Sequence, residues 1–408
     1  MTYGPIVSAL ATAMLLLVLT AAGCGREFVQ LPDVNELPAV EELPDPFMMN
    51  DGMRVANRYD WTKRRKEIER MLLTYQYGRM PPAPAQVRGQ VLSSAVAFGG
   101  TAVKRHVLIS IVPEENLLPL GEEEYFNMNV GIIVPRGQGP FPVIIKNYHD
   151  IFKVPVAEEL VGRGYIVVDY KRTDLDPDRR NVVGAAQAAY PEYDWGTLAV
   201  WAWGGMRVID YLETLDEVDT TKIVFTGHSR GGKTALLAGA LDERIAITVP
   251  NGSGCGGAGC YRICDDTAES LEQITDPNRF GYWFARRFRR FAGREERLPF
   301  DQHFVKAMVA PRALLSVDAL GDLWANPYGT QQTYRAARLV YTFLGVPERI
   351  GIHFRQGGHE QSVEDWRALT DFADKIFFGK EPAEERRFDE LPFPKAPKPF
   401  SWSAPVSR

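Results

Sequence analysis

Ser229 stands at the centre of Gly227-His228-Ser229-Arg230-Gly231-Gly232-Lys233, a G-x-S-x-G segment preceded by the apolar run Lys222-Ile-Val-Phe-Thr226 and followed by a helix-forming run. A serine hydroxyl is a weak nucleophile at neutral pH, so chemistry at Ser229 requires a base, and the base requires an orienting carboxylate. The surrounding residues imply a strand that turns sharply into a helix and exposes the serine Oγ at the bend. Small residues at Gly227 and Gly231 let the two elements approach. The start of that helix directs its first N–H groups and positive dipole end at the place where an oxyanion would form. An ordinary Gly-rich turn is the plain alternative.

The base must come from six histidines: His106, His149, His228, His303, His353 and His359. When a nucleophile sits on such a bend, the partners follow in the order Ser, acid, His, each in a loop after a later strand. His359, in Gln356-Gly357-Gly358-His359-Glu360, follows the last expected strand and is the best base. His353 alternates within that strand and reads as a packed residue. His228 is expected to point away across the turn, and His303 to be structural, just ahead of a helix. For the acid, the strand 313–318 runs into Ala319-Leu-Gly-Asp322-Leu-Trp324. Asp322 is the choice because a loop residue can reach across to His359. Asp318, at the strand end, is the alternative.

The elements that must hold these residues are legible as short apolar runs at 106–112, 128–134, 142–148, 165–170, 222–226, 245–249, 313–317 and 349–354. Most of the later runs are continuously apolar, as strands buried on both faces are. Helical patterns at 156–162, 195–215, 231–241, 328–344 and 363–378 separate them. The alternation predicts an α/β fold: a mostly parallel central sheet with helices on both faces, an αβα sandwich in three layers, the first runs forming an antiparallel edge. One catalytic domain over 48–380, with 48–79 as a helical lead-in, accommodates all of it.

The 408 residues carry 45% hydrophobic side chains, enough for a large core, and a net charge of −5. That balance excludes global disorder and offers no basic field for nucleic acid. Residues 6–23 are apolar or small and end in Ala21-Ala22-Gly23-Cys24, which reads as a secretory leader of lipoprotein type over 1–23, with the Cys24 thiol taking the lipid. A single membrane anchor is the alternative. Either way the rest of the chain is expected to be exported, with lipidated Cys24 as its membrane contact. The Pro-rich, acidic stretch 24–47 reads as a tether and 381–408 as an extended tail. Cys255, Cys260 and Cys264 are spaced C-x4-C-x3-C with no nearby His, which matches no zinc pattern. They read as one disulfide plus a free thiol, or as three buried small hydrophobes.

Several separated motifs agree in order with one family. The serine segment, Asn251-Gly252-Ser253-Gly254-Cys255-Gly256-Gly257, Trp195-Gly196-Thr197 with Trp201-Ala202-Trp203-Gly204, Asp301-Gln302-His303, Ala310-Pro311-Arg312 and Asp322-Leu323-Trp324-Ala325-Asn326-Pro327 together resemble the bacterial branch of the glucuronoyl esterases, of the α/β-hydrolase superfamily. That resemblance implies cleavage of esters between 4-O-methyl-glucuronic acid side groups of xylan and alcohols, notably of lignin, with no metal and no cofactor. It implies that Ser229 attacks the carbonyl, His359 accepts the proton and Asp322 orients His359. It further implies that Arg230 adds a cationic donor at the oxyanion hole and that Lys233 and Trp324 contact the uronic acid. Fungal members carry the triad acid as a Glu at the place of Gly252, so here the acid must come from elsewhere. For a further acidic sugar-binding residue expected after Gly257, Asp266, Glu269 and Glu272 stand near the place.

Lys233 also invites a direct reading: four residues beyond Ser229 on the same side of a helix start, its ammonium is placed to reach sugar hydroxyls, a solvated surface Lys being the alternative. Asn147-Tyr148-His149, after the strand 142–146, is placed either to supply a second oxyanion N–H or simply to end a strand. Arg286, Arg287, Arg289 and Arg290 interleave with Phe284, Phe288 and Phe291, a pattern of packed aromatics under solvated charges or of attraction to an acidic polysaccharide. The expected activity is a monomeric serine esterase acting on glucuronoxylan or another uronic acid ester. An acetyl-xylan or other carbohydrate esterase of the same fold, or a catalytically silent carbohydrate-binding protein at the cell surface, are the competing readings.

Overall fold

Buried on both faces, the apolar runs Val143-Ile144-Ile145 and Ile223-Val224-Phe225 lie side by side as central strands of one sheet. The structure is a computed structural model that describes residues 31–113, 125–382 and 386–406. The expected leader and Cys24 lie outside the described residues. No helix among the described residues is long and apolar enough to cross a membrane.

In chain order the elements are α1 (Arg58–Leu72), β1 (Gln86–Ala97), β2 (Ala102–Val112), β3 (Phe126–Pro135), β4 (Phe141–Tyr148), α2 (Ala157–Gly162), β5 (Ile166–Lys171), α3 (Ala185–Ala189), α4 (Thr197–Leu212), β6 (Val218–His228), α5 (Arg230–Leu241), β7 (Ile245–Asn251), α6 (Leu271–Thr275), α7 (Gln302–Val309), β8 (Ala313–Ala319), α8 (Pro327–Phe343), β9 (Ile350–Arg355) and α9 (Val363–Phe378). Among the described residues nine strands form one sheet in the order β1-β2-β3-β5-β4-β6-β7-β8-β9. The first four in that order pair antiparallel, and β5-β4-β6-β7-β8-β9 pair parallel. This is an α/β fold.

Each parallel strand alternates its side chains between two covered faces. Ile144, Val224, Val249, Leu315 and Val317 face Leu160 of α2 and Trp366, Leu369 and Phe372 of α9. The opposite face is covered by α4 and α5, with Tyr170 Oη donating to Trp201 O at 2.6 Å. The C-terminal ends of β6, β8 and β9 open into the loops that carry Ser229, Asp322 and His359, so the topology gathers them at one rim.

Several elements depart from the expectation, α3 and α6 because five residues are too few to show a helical period. β1 was not legible because nearly all of its residues are exposed, so no apolar alternation marks it. α7 starts earlier than expected: the Asp301 side chain accepts from Gln302 N and caps it, so the helix runs from Gln302 to Val309 with every residue buried. His303 therefore sits inside its first turn rather than ahead of a helix.

The acidic stretch expected as a tether is packed from Asp33 onward, within the unit Asp33–Arg408. Leu43 and Phe47 are buried, with Phe47 against Trp61, Phe343 and Trp402. His303 Nε2 donates to Pro44 O at 2.9 Å, and Trp402 Nε1 in the C-terminal segment donates to Leu43 O at 2.7 Å. Two irregular segments of sparse apolar residues thus bury one another where neither has a period of its own.

Candidate active site

At the end of β6 the chain turns through Ser229 with φ 57° and ψ −124°, a left-handed conformation that L side chains rarely adopt. The surroundings hold it there. Ser229 N donates to Asn251 O of β7 at 2.9 Å, and Asn147 Nδ2 from β4 donates to Thr226 O at 3.1 Å and Gly231 O at 2.8 Å. A Cβ at Gly227 would lie 2.4 Å from both Asn147 Nδ2 and Gly231 O, so only glycine allows strand and helix this close. Asn147 is in turn fixed by Arg172, whose Nη1 donates to its Oδ1 at 2.9 Å. Asn147 therefore braces the bend with its side chain.

His359, from the loop after β9, brings Nε2 to 3.0 Å from Ser229 Oγ. Its Nδ1 donates to Asp322 Oδ2 at 2.6 Å. With Nδ1–H given to the carboxylate, Nε2 presents its lone pair to the serine hydroxyl, the arrangement a general base needs. Asp322 is 3% exposed while His359 is 38% exposed, so a buried carboxylate holds an imidazole that is open to the outside.

Asp318 is not part of this chain of bonds. Alternation along β8 turns its side chain to the α7–α8 face, where it is buried opposite Lys306 and held above the ordinary carboxylate range by desolvation. Gly252, with φ +49°, leaves the corner beside the triad open: a Cβ there would lie 3.6 Å from Asp322 Oδ2 and 3.0 Å from His228 Cε1. His228 does not point away across the turn. Its ring lies 4.6 Å from that of His359, its Nδ1 bonds Asn251 Oδ1 at 2.6 Å, and burial lowers its pKa to about 4. It is a neutral partner packed against the base because Asn251, at the end of the neighbouring strand, captures it.

Arg230 opens α5, where the backbone N–H has no partner in the helix's own ladder. Its guanidinium pairs with Asp178 at 2.6 Å and stacks over Trp283 at 4.8 Å. Asp178 Oδ1 also accepts from Tyr282 Oη at 2.8 Å and Trp283 Nε1 at 3.1 Å. Burial pushes the Asp178 carboxyl up, but the Arg230 charge and these hydrogen bonds outweigh it and leave it below the usual range. A fixed cation and the N–H groups at the start of α5 thus stand next in the chain to Ser229.

The family model for glucuronyl esterases of fungi matches residues 121–345. A 4-O-methyl-glucuronoyl methylesterase of Wolfiporia cocos is 32% identical over 323 residues, 76% of this chain and 74% of that one. The chain belongs to the glucuronoyl esterase family. A carbohydrate esterase from an unknown prokaryotic organism is 31% identical over 392 residues, 83% of this chain and 90% of the relative. The solved glucuronoyl esterase of carbohydrate esterase family 15 from Caldicellulosiruptor kristjansonii superposes with a TM-score of 0.76 at 32% identity, over 91% of this chain and 99% of that one.

In this glucuronoyl esterase Lys233 and Trp324, the two residues expected to contact the uronic acid, are joined through Glu269. Lys233 is neither a solvated surface Lys nor a free donor: its side chain is 3% exposed and its Nζ donates to Ser253 O at 2.7 Å, Cys255 O at 2.6 Å and Glu269 Oε2 at 2.6 Å. An ammonium has three N–H donors, and all three are engaged. Among the three acidic candidates it is Glu269 that faces Lys233, with Oε2 toward the ammonium. Its backbone N donates to Trp324 O at 3.0 Å, tying it to Trp324, which is 36% exposed. Sequence spacing carries no signal for this pairing, because Lys233 and Glu269 meet only through the loop after β7.

The arginine cluster is a short 3-10 turn over Arg286–Phe291 with Phe288 and Phe291 buried. Arg287 pairs with Asp194, Arg290 with Asp33, and Arg289 donates to Thr275 O at 3.0 Å, so most of its charge is matched locally. Cys255, Cys260 and Cys264 are free thiols, with burial raising all three. Among the described residues no group of three His, Cys, Asp or Glu side chains is arranged to hold a metal ion.

Proposed function

We propose that the protein is an exported serine esterase that hydrolyses esters of glucuronic or 4-O-methyl-glucuronic acid, such as those joining xylan side groups to alcohols. The observation that carries the reading is the unbroken hydrogen-bonded chain Ser229 Oγ, His359, Asp322 at the strained bend. Ser229 Oγ attacks the ester carbonyl as His359 Nε2 takes its proton. The oxyanion lies against the Arg230 N–H and guanidinium, the alcohol leaves with the proton from His359, and a water repeats the sequence on the acyl-enzyme.

The acid side of the ester is read by Glu269 and Trp324: the second carboxylate oxygen of Glu269 accepts a sugar hydroxyl while Lys233 holds the carboxylate from behind, and Trp324 supplies a wall. The name of the Wolfiporia cocos relative supports this substrate class. Export and a lipid at Cys24 rest on the apolar run at 6–23 and the small residues before Cys24.

The test is the ratio of kcat/KM for benzyl glucuronate to that for an aryl acetate, with Ser229→Ala as the blank. The uronate ester is expected to be the better substrate. Relatively faster turnover of acetate would make the protein a carbohydrate esterase of another acyl specificity.

A further inference from the structure

His359 sits on a loop with no helix or strand of its own, its ring against that of His228. Residues 356–361 form no regular element, Gly357 has φ +108°, and a Cβ at Gly358 would meet nothing within 4 Å. The bond from Nδ1 to Asp322 orients the ring, and the Gly357 backbone passes close to Gly321. The side-chain hydrogen bonds to the carbonyls on either side of His359 come from one buried residue, Arg355, the last of β9, which is 3% exposed.

The Arg355 guanidinium bonds in two directions. Toward α9, Nε donates to both carboxylate oxygens of Asp365 at 2.9 Å, and Asp365, itself 1% exposed, is fixed in the first helical turn by accepting from Ser362 N at 2.7 Å. Toward the loop, Nη1 donates to Gln356 O at 2.8 Å, and Nη2 donates to Gly358 O at 3.3 Å and Glu360 O at 2.6 Å. The carbonyls on either side of His359 therefore hang on one nitrogen. The Arg355 backbone O accepts from Leu320 N at 2.8 Å, so the loop that carries Asp322 is fastened to the same residue.

We infer that Arg355 is a positioning residue for catalysis: it sets the place of the imaginary line from Asp322 through His359 to Ser229 by clamping the base-bearing loop, and Asp365 is its anchor. The inference rests on the reading of Ser229 and His359 as nucleophile and base. A planar guanidinium presents five N–H donors in a rigid fork, which is why one side chain can serve a carboxylate and three carbonyls together. A lysine presents its donors from one point and cannot span them.

The experiment follows labelling of Ser229 by a fluorophosphonate, which needs the serine and its base whatever ester is the natural substrate. Both the limiting inactivation rate and the half-saturating probe concentration are measured, beside the thermal midpoint. Arg355→Lys keeps the buried charge. Arg355→Met with Asp365→Leu removes both charges together, so that no buried ion is left unpaired. Both are expected to lower the limiting rate about 100-fold, the scale of a misplacement of about 1 Å, with the half-saturating concentration unchanged. In Arg355→Ala, millimolar guanidinium should restore part of the rate.

A folded Met/Leu variant that labels at the wild-type limiting rate overturns the inference. Should that variant not fold, Arg355→Lys labelling at the wild-type rate overturns it in the same way. A wild-type protein that is not labelled at all removes the nucleophile–base reading and this inference with it. A wild-type protein that is labelled but does not turn over uronate esters removes only the proposed substrate.

Discussion

Replacing Lys233 by Met separates the stability of the sugar site from its chemistry. Met keeps most of the side-chain length, so packing against the start of α5 is retained while the charge and three donors are lost. Glu269, 4% exposed, is left with no cation facing it, and the carbonyls of Ser253 and Cys255 lose their donor. Removing one partner of a buried ion pair costs about 3–5 kcal/mol, whereas removing both and filling the space is often neutral. The single variant should therefore lose about 3–5 kcal/mol in urea denaturation extrapolated to water, and Lys233→Met with Glu269→Leu should lie close to wild type. Both variants should turn over an aryl acetate well, since neither touches Ser229, His359 or Asp322, and both should show a raised KM for benzyl glucuronate because the carboxylate proposed to meet the sugar is unanchored or gone. A single variant that loses less than about 1 kcal/mol, or a double variant as unstable as the single, would refute the burial argument.

Two further predictions follow from the loops and the histidines. Asp322→Asn should lower kcat by roughly 10⁴-fold without changing the thermal midpoint, because the amide no longer selects the Nδ1–H tautomer, whereas Asp318→Asn should act on the midpoint and spare kcat; the reverse pattern would move the acid to Asp318. His228 and His303 are each lowered to about 4 by burial, against an ordinary 6.5. The unfolded chain binds these protons more readily, so each histidine contributes stability that is complete above pH 6.5 and is lost as pH falls toward 4, up to about 3 kcal/mol apiece. His303→Asn should flatten the slope of unfolding free energy against pH in that window, and an unchanged slope would count against it.

Strand, bend and helix around Ser229 were legible because each is a local pattern: the run Ile223-Val-Phe225 is apolar enough to be buried on both faces, and the two glycines mark the close approach. The loop of His359 announced itself in the same way, as a Gly-rich exit from an apolar run. β1 escaped notice because it is exposed nearly throughout and so does not alternate polar with apolar, and the start of α7 was missed because its cap, Asp301, lies one residue before Gln302 rather than after His303. The partner of Lys233, the ring that packs on His359 and the bonds of Arg355 had no signature, since each joins groups brought together by the folding of separate loops.

The amino-acid order alone was enough to expect the layered sheet and to single out Ser229 and His359, because periodicity of burial and turn chemistry act over a few neighbouring residues. Tertiary structure decided which aspartate bonds His359, by turning Asp318 into the α7–α8 face and bringing Asp322 to the imidazole at the rim. It also decided that Lys233 spends its donors inside the protein and that the stretch from Asp33 is packed against the C-terminal segment. These outcomes depend on the direction of side chains across space, and desolvation and hydrogen-bond geometry, not sequence spacing, select among them.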